Sequence, residues 1–131
     1  MDIALCSFDT VNRTLRYAGA NTPLWIVRNG AVITHNGSRQ PVGKHANLTR
    51  FESNDIYIQK GDFVYMSSDG YADQFGGEKG KKMKVRYLKE LLLEISSLPL
   101  DQQKETLEQS FLKWKGEFEQ VDDVCVIGVR V

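Results

Sequence analysis

The chain has 131 residues, of which 41% are hydrophobic and 26% are charged, as expected for one folded domain with a sizeable core. Lys and Arg total 17, as do Asp and Glu, so the formal net charge is zero. A neutral chain has no global field to attract nucleic acid or an anionic membrane, and both are disfavoured as partners. No apolar stretch approaches the ~20 residues that span a bilayer, and the N-terminus does not read as a signal peptide.

The two cysteines, Cys6 and Cys125, each lie in an apolar, strand-like run. Two thiols without histidines at ligand spacing provide neither a disulfide framework nor a metal site. We therefore expect both to be core thiols in a reducing compartment, which predicts a cytoplasmic protein.

The first half of the chain predicts antiparallel strands joined by turns. Residues 2–9 and 15–20 predict the two strands of a β-hairpin, although the loop between them is longer than the tight two-residue form. Residues 24–28 and 31–34 predict a second hairpin, because the Asn-Gly pair between them favours a type I′ turn.

A polar loop and a third strand pair are expected next. Residues 35–47 form the loop, in which His35 and His45 are expected to be solvated, and residues 48–51 form a short edge strand. Residues 55–59 and 63–67 then predict an antiparallel pair closed by a glycine turn.

The second half predicts a glycine-rich loop, two helices and a last strand. Residues 71–75 suggest a helical turn, and residues 76–82 a mobile surface loop. The cluster from Lys79 to Lys84 either is simply solvated, the favoured interpretation, or contacts a phosphoprotein or a phosphate. The first helix carries an apolar stripe of Leu88, Leu91, Leu92 and Ile95. The second helix is expected to begin with Asp101 as its N-cap and to end at Gly116. Its apolar face consists of Leu107, Phe111, Trp114 and Phe118. Residues 121–131 predict a buried, central strand, and the whole order indicates an α+β fold with helices on one face of a mostly antiparallel sheet.

Two acidic corners are the candidates for chemistry. The apolar run 63–66 leads into Asp69-Gly70, and Asp122-Asp123 opens the last apolar run. If these strands are antiparallel neighbours, both corners fall at one sheet edge, where carboxylates can bind Mg²⁺ or Mn²⁺ and a metal-activated water can attack a phosphate ester. Taken alone, these residues favour the simpler interpretation that Asp69 serves a turn and the Asp pair precedes a strand.

Three motifs in this order carry a family resemblance. They are Leu-Arg-Tyr-Ala-Gly-Ala-Asn-Thr-Pro-Leu at 15–24, Lys-Gly-Asp-Phe-Val-Tyr-Met-Ser-Ser-Asp-Gly at 60–70 and Val-Asp-Asp-Val-Cys-Val at 121–126. The set closely resembles the C-terminal part of SpoIIE/RsbU-type bacterial serine/threonine phosphatase domains, a branch of the PP2C-like (PPM) metal-dependent phosphatases. The segment at 71–82 is similar to versions of this domain that are attached to sensor or repeat regions.

The resemblance implies a fold, a cofactor and site residues. In that family two Mn²⁺ or Mg²⁺ ions bind between two antiparallel sheets flanked by helices, and a metal-bound water attacks phosphoserine or phosphothreonine. By position, Asp69 and Asp122 match two metal-ligand aspartates of the family, so the resemblance implies that they belong to the catalytic centre. Asp123 and Gly70 stand beside them in supporting positions.

The chain also departs from the family pattern. The family has an earlier acidic motif, an Asp-Gly turn that feeds a long helix, and nothing upstream of Asp2 corresponds to it. Ala20 stands where many relatives carry His. We therefore expect residues 1–131 to be a partial, N-terminally truncated phosphatase domain, inactive or nearly so alone, with a sensor or repeat domain upstream in the full-length protein.

Two functions follow as hypotheses. The first is a metal-dependent phosphatase that acts on a small phosphorylated regulator, such as an anti-sigma-factor antagonist. The second is a non-catalytic interaction or regulatory module that retains the sheet without a working metal centre. Under either hypothesis an incomplete sheet leaves an open edge, so we expect a homodimer or strand exchange at high concentration.

Overall fold

The computed structural model describes residues 1–43 and 49–131. In these residues antiparallel strands are more extensive than helices, and three helices are inserted before the last strand. The elements are β1 (Ile3–Asp9), β2 (Thr14–Ala20), β3 (Leu24–Arg28), β4 (Ala31–His35), β5 (Ser53–Tyr57), β6 (Phe63–Ser67), α1 (Gly70–Asp73), β7 (Phe75–Gly76), β8 (Lys81–Lys82), α2 (Val85–Ile95), α3 (Leu100–Lys115) and β9 (Val126–Arg130).

Two antiparallel sheets pack against each other through one apolar core. The first sheet has the strand order β1-β2-β5, and the second has the order β4-β3-β6-β9. Alternate residues of β2 face inward, so Leu15 and Tyr17 are buried and Arg16 is exposed. The buried cluster that joins the sheets consists of Leu15, Tyr17, Leu24, Ile26, Ile56, Ile58 and Val64.

A second apolar core lies between the other face of the second sheet and the helices. The strands contribute Trp25, Val27, Phe63 and Tyr65, and the helices contribute Leu88, Leu91, Leu92, Ile95 and Phe111. The predicted stripe of α2 is therefore confirmed as its buried face. The layering of sheet, sheet and helices also confirms the predicted α+β class.

Both N-terminal hairpins form as predicted. β1 pairs with β2, and β3 pairs with β4, each antiparallel. Asn29 and Gly30 both have positive φ, 49° and 73°, as a type I′ turn requires.

The prediction that residues 55–59 pair with 63–67 was wrong. β5 pairs with β2 in the first sheet, whereas β6 pairs with β3 and β9 in the second. The turn between them carries the chain across the sandwich. It is held by Asp62, which is 2% exposed and accepts from Arg28 Nε at 2.9 Å.

The last strand was predicted too long and too central. β9 covers only Val126–Arg130 and lies at the edge of the second sheet, where Ile127 is 49% exposed. Cys125 is exposed and therefore not a core thiol. Cys6 is half-buried, its Sγ lies 3.4 Å from Met66 Sδ, and burial raises its pKa.

Several smaller expectations also change. Residues 76–82 were predicted to be a mobile loop, but they contribute to the β7–β8 hairpin. α3 begins at Leu100, so Asp101 lies in its first turn and Pro99, not Asp101, occupies the N-cap position. The helix ends with Gly116 at its C-cap, as predicted. Phe118 lies beyond this end and is exposed, so it is not part of the apolar face of the helix.

The predicted loop after β4 is described only in part. His35 is not a solvated loop residue, because it is the half-buried last residue of β4. His45 and Leu48 lie outside the described residues, and positions 49–51 form no strand.

Candidate functional site

The two acidic corners lie at one end of the same strand pair. β6 and β9 are antiparallel, with Ser67 opposite Val126, so the segment leaving β6 runs beside the segment that enters β9. Beyond the strands the contact continues, because Ser68 N donates to Cys125 O at 2.9 Å. The antiparallel arrangement on which the sequence argument depended is therefore present.

Ser68 links the two corners through its side chain. Its Oγ donates to Asp123 O at 2.8 Å and accepts from Cys125 N at 2.9 Å. The sequence analysis did not identify this role. A serine that follows a strand could have suggested it, since a short hydroxyl can bond a neighbouring backbone.

Gly70 makes the second link. A Cβ atom at this position would lie 2.3 Å from Asp123 O, closer than any side chain tolerates. Only glycine therefore lets the start of α1 pack against the backbone before β9. The contact places the residue after Asp69 directly against the backbone of the residue after Asp122.

The side chains of Asp69 and Asp122 remain accessible. Asp69 occupies the N-cap position of α1 but makes no capping hydrogen bond there. Across residues 1–43 and 49–131 its carboxylate takes part in no side-chain hydrogen bond or ion pair. Asp122 Oδ1 accepts from Asp123 N at 2.7 Å, and both carboxylates are exposed.

A cavity of about 250 Å³ lies beside Asp69. Its lining contains both polar and apolar residues; they are Asp2, Asn21, Thr22, Pro23, Trp25, Ser67, Ser68, Asp69, Ala72, Val85 and Leu88. Asp2 was not predicted as a site residue. The register of the first hairpin could have indicated it, because β1 and β2 place Asp2 beside Asn21, whose Nδ2 donates to Asp2 Oδ1 at 3.0 Å.

α1 is fixed at the wall of this cavity. Tyr71 is 2% exposed, and its hydroxyl donates to Leu107 O of α3 at 2.7 Å. Burial raises the pKa of Tyr71 to about 12, so the hydroxyl remains a neutral donor at physiological pH. The helix that follows Asp69 is thereby held against the helical layer.

The carboxylates fit part of a metal site. Asp69 and Asp122 offer the hard oxygen donors that Mg²⁺ and Mn²⁺ prefer. In the part of the chain that the structure describes, however, no three His, Cys, Asp or Glu side chains are grouped closely enough to hold an ion. Asp69 and Asp122 are therefore two candidate ligands, fewer than the three that such a group would need.

In residues 1–43 and 49–131, no helix combines the length and the apolar character that a membrane span needs.

Comparison with known proteins identifies the family. The model of the family described as Stage II sporulation protein E (SpoIIE) matches residues 1–131. The SiaA-PP2C domain of Pseudomonas aeruginosa is 28% identical with a TM-score of 0.90, and the match covers 99% of this chain and 51% of that one. No match was found among curated protein sequences.

More distant structures share the fold. The PP2C phosphatase domain of SpoIIE from Bacillus subtilis, solved with a fragment of its regulatory domain, is 21% identical with a TM-score of 0.76, covering 99% of this chain and 37% of that one. The serine/threonine phosphatase PstP of Mycobacterium tuberculosis is 13% identical with a TM-score of 0.64, covering 97% and 58%. The chain spans about half the length, or less, of these solved relatives. Fold, motifs and family match together show that the chain belongs to the SpoIIE family of PP2C-type phosphatase domains.

Proposed function

We propose that these residues form the C-terminal part of a metal-dependent phosphatase that hydrolyses phosphoserine or phosphothreonine in a regulatory protein. The observation that carries the proposal is the joining of the two acidic corners. Ser68 and Gly70 bring the segment after β6 against the backbone at Asp123, next to Asp122. Family membership supports serine/threonine phosphatase chemistry for such a site.

In this proposal Asp69 and Asp122 would hold Mn²⁺ or Mg²⁺, two ions in the complete domain. Such ions supply positive charge at the phosphate and lower the pKa of water toward neutrality. The residues of this chain would position the two carboxylates relative to each other. Ser68 and Gly70 fix the separation of the corners, and the carboxylate of Asp123 adds negative charge beside Asp122.

The substrate and the setting are proposed from the family resemblance. The substrate would be a phosphorylated regulatory protein of the anti-sigma-factor-antagonist type, and an upstream sensor or repeat domain would control the reaction. Two carboxylates bind a divalent ion weakly, so we expect residues 1–131 alone to hydrolyse substrate slowly or not at all. A cytoplasmic location stays a prediction.

One observation favours the second candidate, a non-catalytic interaction or regulatory module. Among the described residues no three candidate ligands are grouped together, and Ala20 stands where many relatives carry His. A module of this kind would keep the sandwich and its cavities without binding metal.

Calorimetric titration with Mn²⁺ separates the two candidates. We expect the chain to bind Mn²⁺ with a dissociation constant on the order of 10–100 μM, because few carboxylates share the ion. The Asp69→Asn, Asp122→Asn double variant should lose this binding, since the amide is nearly isosteric but lacks the charge.

A matched control removes two exposed acids from the helices. Glu94→Gln with Glu105→Gln changes the net charge by the same amount, and both residues are exposed. Wild-type affinity in this control and loss in the first variant would support metal binding by Asp69 and Asp122. Equal affinity in all three proteins, or binding in none, would favour the non-catalytic module.

A further inference from the structure

A strip of positive charge begins beside the Asp69 cavity. The exposed cations Lys79, Lys81, Lys82, Lys84 and Arg86, which we call the basic rim, run from the β7–β8 hairpin into α2. Residues 73–90 contain six Lys or Arg residues and three Asp or Glu residues, although the whole chain is neutral. The charge is therefore concentrated on one segment rather than spread over the surface.

Three cations of the basic rim are not engaged in ion pairs. Lys82 pairs with Asp73 at 3.2 Å, and Arg86 pairs with Glu90 at 2.8 Å. In the described ranges 1–43 and 49–131, Lys79, Lys81 and Lys84 have no carboxylate within salt-bridge distance. These three ammonium groups are available to an external anion.

The hairpin that carries the basic rim is fixed in place. Gly77 N donates to Trp114 O at 2.8 Å, and Trp114 Nε1 donates to Gln74 O at 3.0 Å. Gly76 lies so close to Trp114 that a Cβ atom would not fit between them. The backbone that carries the lysines is thus held in place, which lowers the entropic cost of ordering this segment on binding.

Lys84 is held in an unfavourable backbone conformation. Its φ of 78° and ψ of 146° lie near a region that only glycine adopts readily. Hydrogen bonds maintain it, because its N–H donates to Ala72 O at 2.7 Å and its carbonyl accepts from Tyr87 N at 3.1 Å. Residues in such conformations cluster at functional sites, so Lys84 is a candidate for a functional role.

The basic rim joins the candidate site directly. Ala72, which accepts the hydrogen bond from Lys84, lines the same cavity as Asp69. Val85 and Leu88 of α2 line it as well. A polypeptide whose phosphorylated residue reached Asp69 would therefore pass the basic rim.

We propose that the basic rim binds an acidic segment that flanks the phosphorylated residue of the substrate protein. This inference rests on the proposed function, because it takes the Asp69 cavity as the place where that residue is bound. Complementary charge would add affinity and selectivity, and the attraction would weaken with salt.

Binding of short peptides tests the proposal without requiring catalysis. The probes are two fluorescein-labelled phosphoserine peptides, one flanked by aspartates and the other by asparagines, measured by fluorescence anisotropy. Lys79→Ala with Lys81→Ala should weaken binding of the aspartate peptide about five- to tenfold, as expected for the loss of two ion pairs. Lys60→Ala with Lys104→Ala removes the same charge elsewhere and should leave the affinity within about twofold.

Three outcomes would overturn the proposal: equal loss in both double variants, equal affinity for the two peptides, or equally effective competition by a single-stranded oligonucleotide of matched charge. The last would identify a nonspecific polyanion surface. Failure to bind Mn²⁺ would count against the proposed function alone, because the anisotropy measurement needs no metal.

A pair of Lys84 variants separates a binding role from a structural one. Lys84→Ala and Lys84→Gly both remove the charge, but only glycine relieves the backbone conformation. We expect both variants to bind the aspartate peptide more weakly, while Lys84→Gly alone melts at a higher temperature than the wild type. Unchanged affinity in both variants would contradict the assignment of Lys84.

Discussion

Arg28 and Asp62 show how single residues hold the two sheets together. The Asp62 carboxylate accepts from Arg28 Nε at 2.9 Å and from Gln59 N at 2.8 Å. Arg28 Nη2 donates to the same carboxylate and also to Tyr57 O, the latter at 2.9 Å. Burial of the Asp62 carboxyl raises its pKa, but the hydrogen bonds and the charge of Arg28 outweigh it, so the pKa lies below the usual 3.8. The pair fixes the turn where the chain crosses between the sheets.

Asp62→Asn should destabilise the protein by about 3 kcal/mol at pH 7, because it leaves a partly buried guanidinium without its counter-charge. The folded pKa is lowered, so the carboxylate stabilises the fold above its ordinary pKa, and this contribution is lost as the pH falls through the lower folded value. Urea denaturation of both proteins between pH 7 and pH 3 checks this: the difference in unfolding free energy should narrow below about pH 4.

The exposed pair of Arg16 and Asp55 offers a matched control. Its side chains are 66% and 55% exposed, and exposed pairs contribute little. Asp55→Asn should therefore leave stability nearly unchanged. An equal loss from both substitutions, or a constant difference across the pH range, would contradict the role given to Asp62.

The sequence predicts the acidic residues better than their connections. Asp69 and Asp122 each lie where an apolar run meets a turn, a pattern that a sequence shows directly, but the family resemblance is what makes them candidate ligands. The bridging role of Ser68 and the position of Asp2 depend on contacts between distant segments, and the one between Ser68 and Asp123 spans 55 positions. Such contacts follow from register, which a single sequence specifies only weakly.

At the scale of elements, strand existence was predictable and strand partnership was not. The apolar run of β6 is unmistakable, yet its nearest strand along the chain, β5, belongs to the other sheet. A glycine turn between two apolar runs usually indicates a hairpin. Here the inward residues Ile56 and Val64 face each other across the core, and this packing prevails over local pairing.

The contact between α1 and the segment before β9 gives a prediction at this scale. Gly70→Ala places a methyl group against Asp123 O and should push the corners apart, at a cost of about 2 kcal/mol. Binding of Mn²⁺ should be lost with it. Urea denaturation and calorimetry on the same protein preparation measure both effects.

Gly128→Ala is the control for overpacking along the same strands. Its Cβ would lie 3.0 Å from the edge of the Tyr65 ring, away from the acidic corners. We expect some loss of stability and no change in the affinity for Mn²⁺. Retained Mn²⁺ binding in Gly70→Ala would show that the close approach at Asp123 is not needed for the site.

At the scale of the whole molecule, we expect any self-association of the chain to occur through its open strand edges. β9 is an edge strand of the second sheet, and its second residue, Ile127, is 49% exposed. On the first sheet, the edge strand β1 exposes Leu5 at 68%. Unprotected edges with apolar side chains favour pairing between chains. The homodimer therefore stays a prediction, and these two edges are where we expect it to form.

Ile127→Lys should shift the protein toward monomer, because a charge on an edge strand opposes pairing. Light scattering after size exclusion, over a hundredfold range of loading concentration, measures the mass. Leu112→Lys, at an exposed position of α3, adds the same charge away from any strand edge. A wild-type protein that stays monomeric throughout, or an equal shift in both variants, would contradict association through β9.

The pairing of β6 with β9 also bears on when the site can exist during synthesis. Asp69 leaves the ribosome early in the second half of the chain, while its partner segment follows all three helices. At about 5–20 residues per second, the two corners are kept apart for some seconds of translation. A nascent chain therefore makes its hairpins and helices before it has a complete acidic pair, so any capacity to bind metal arises only after residue 122 has been synthesised.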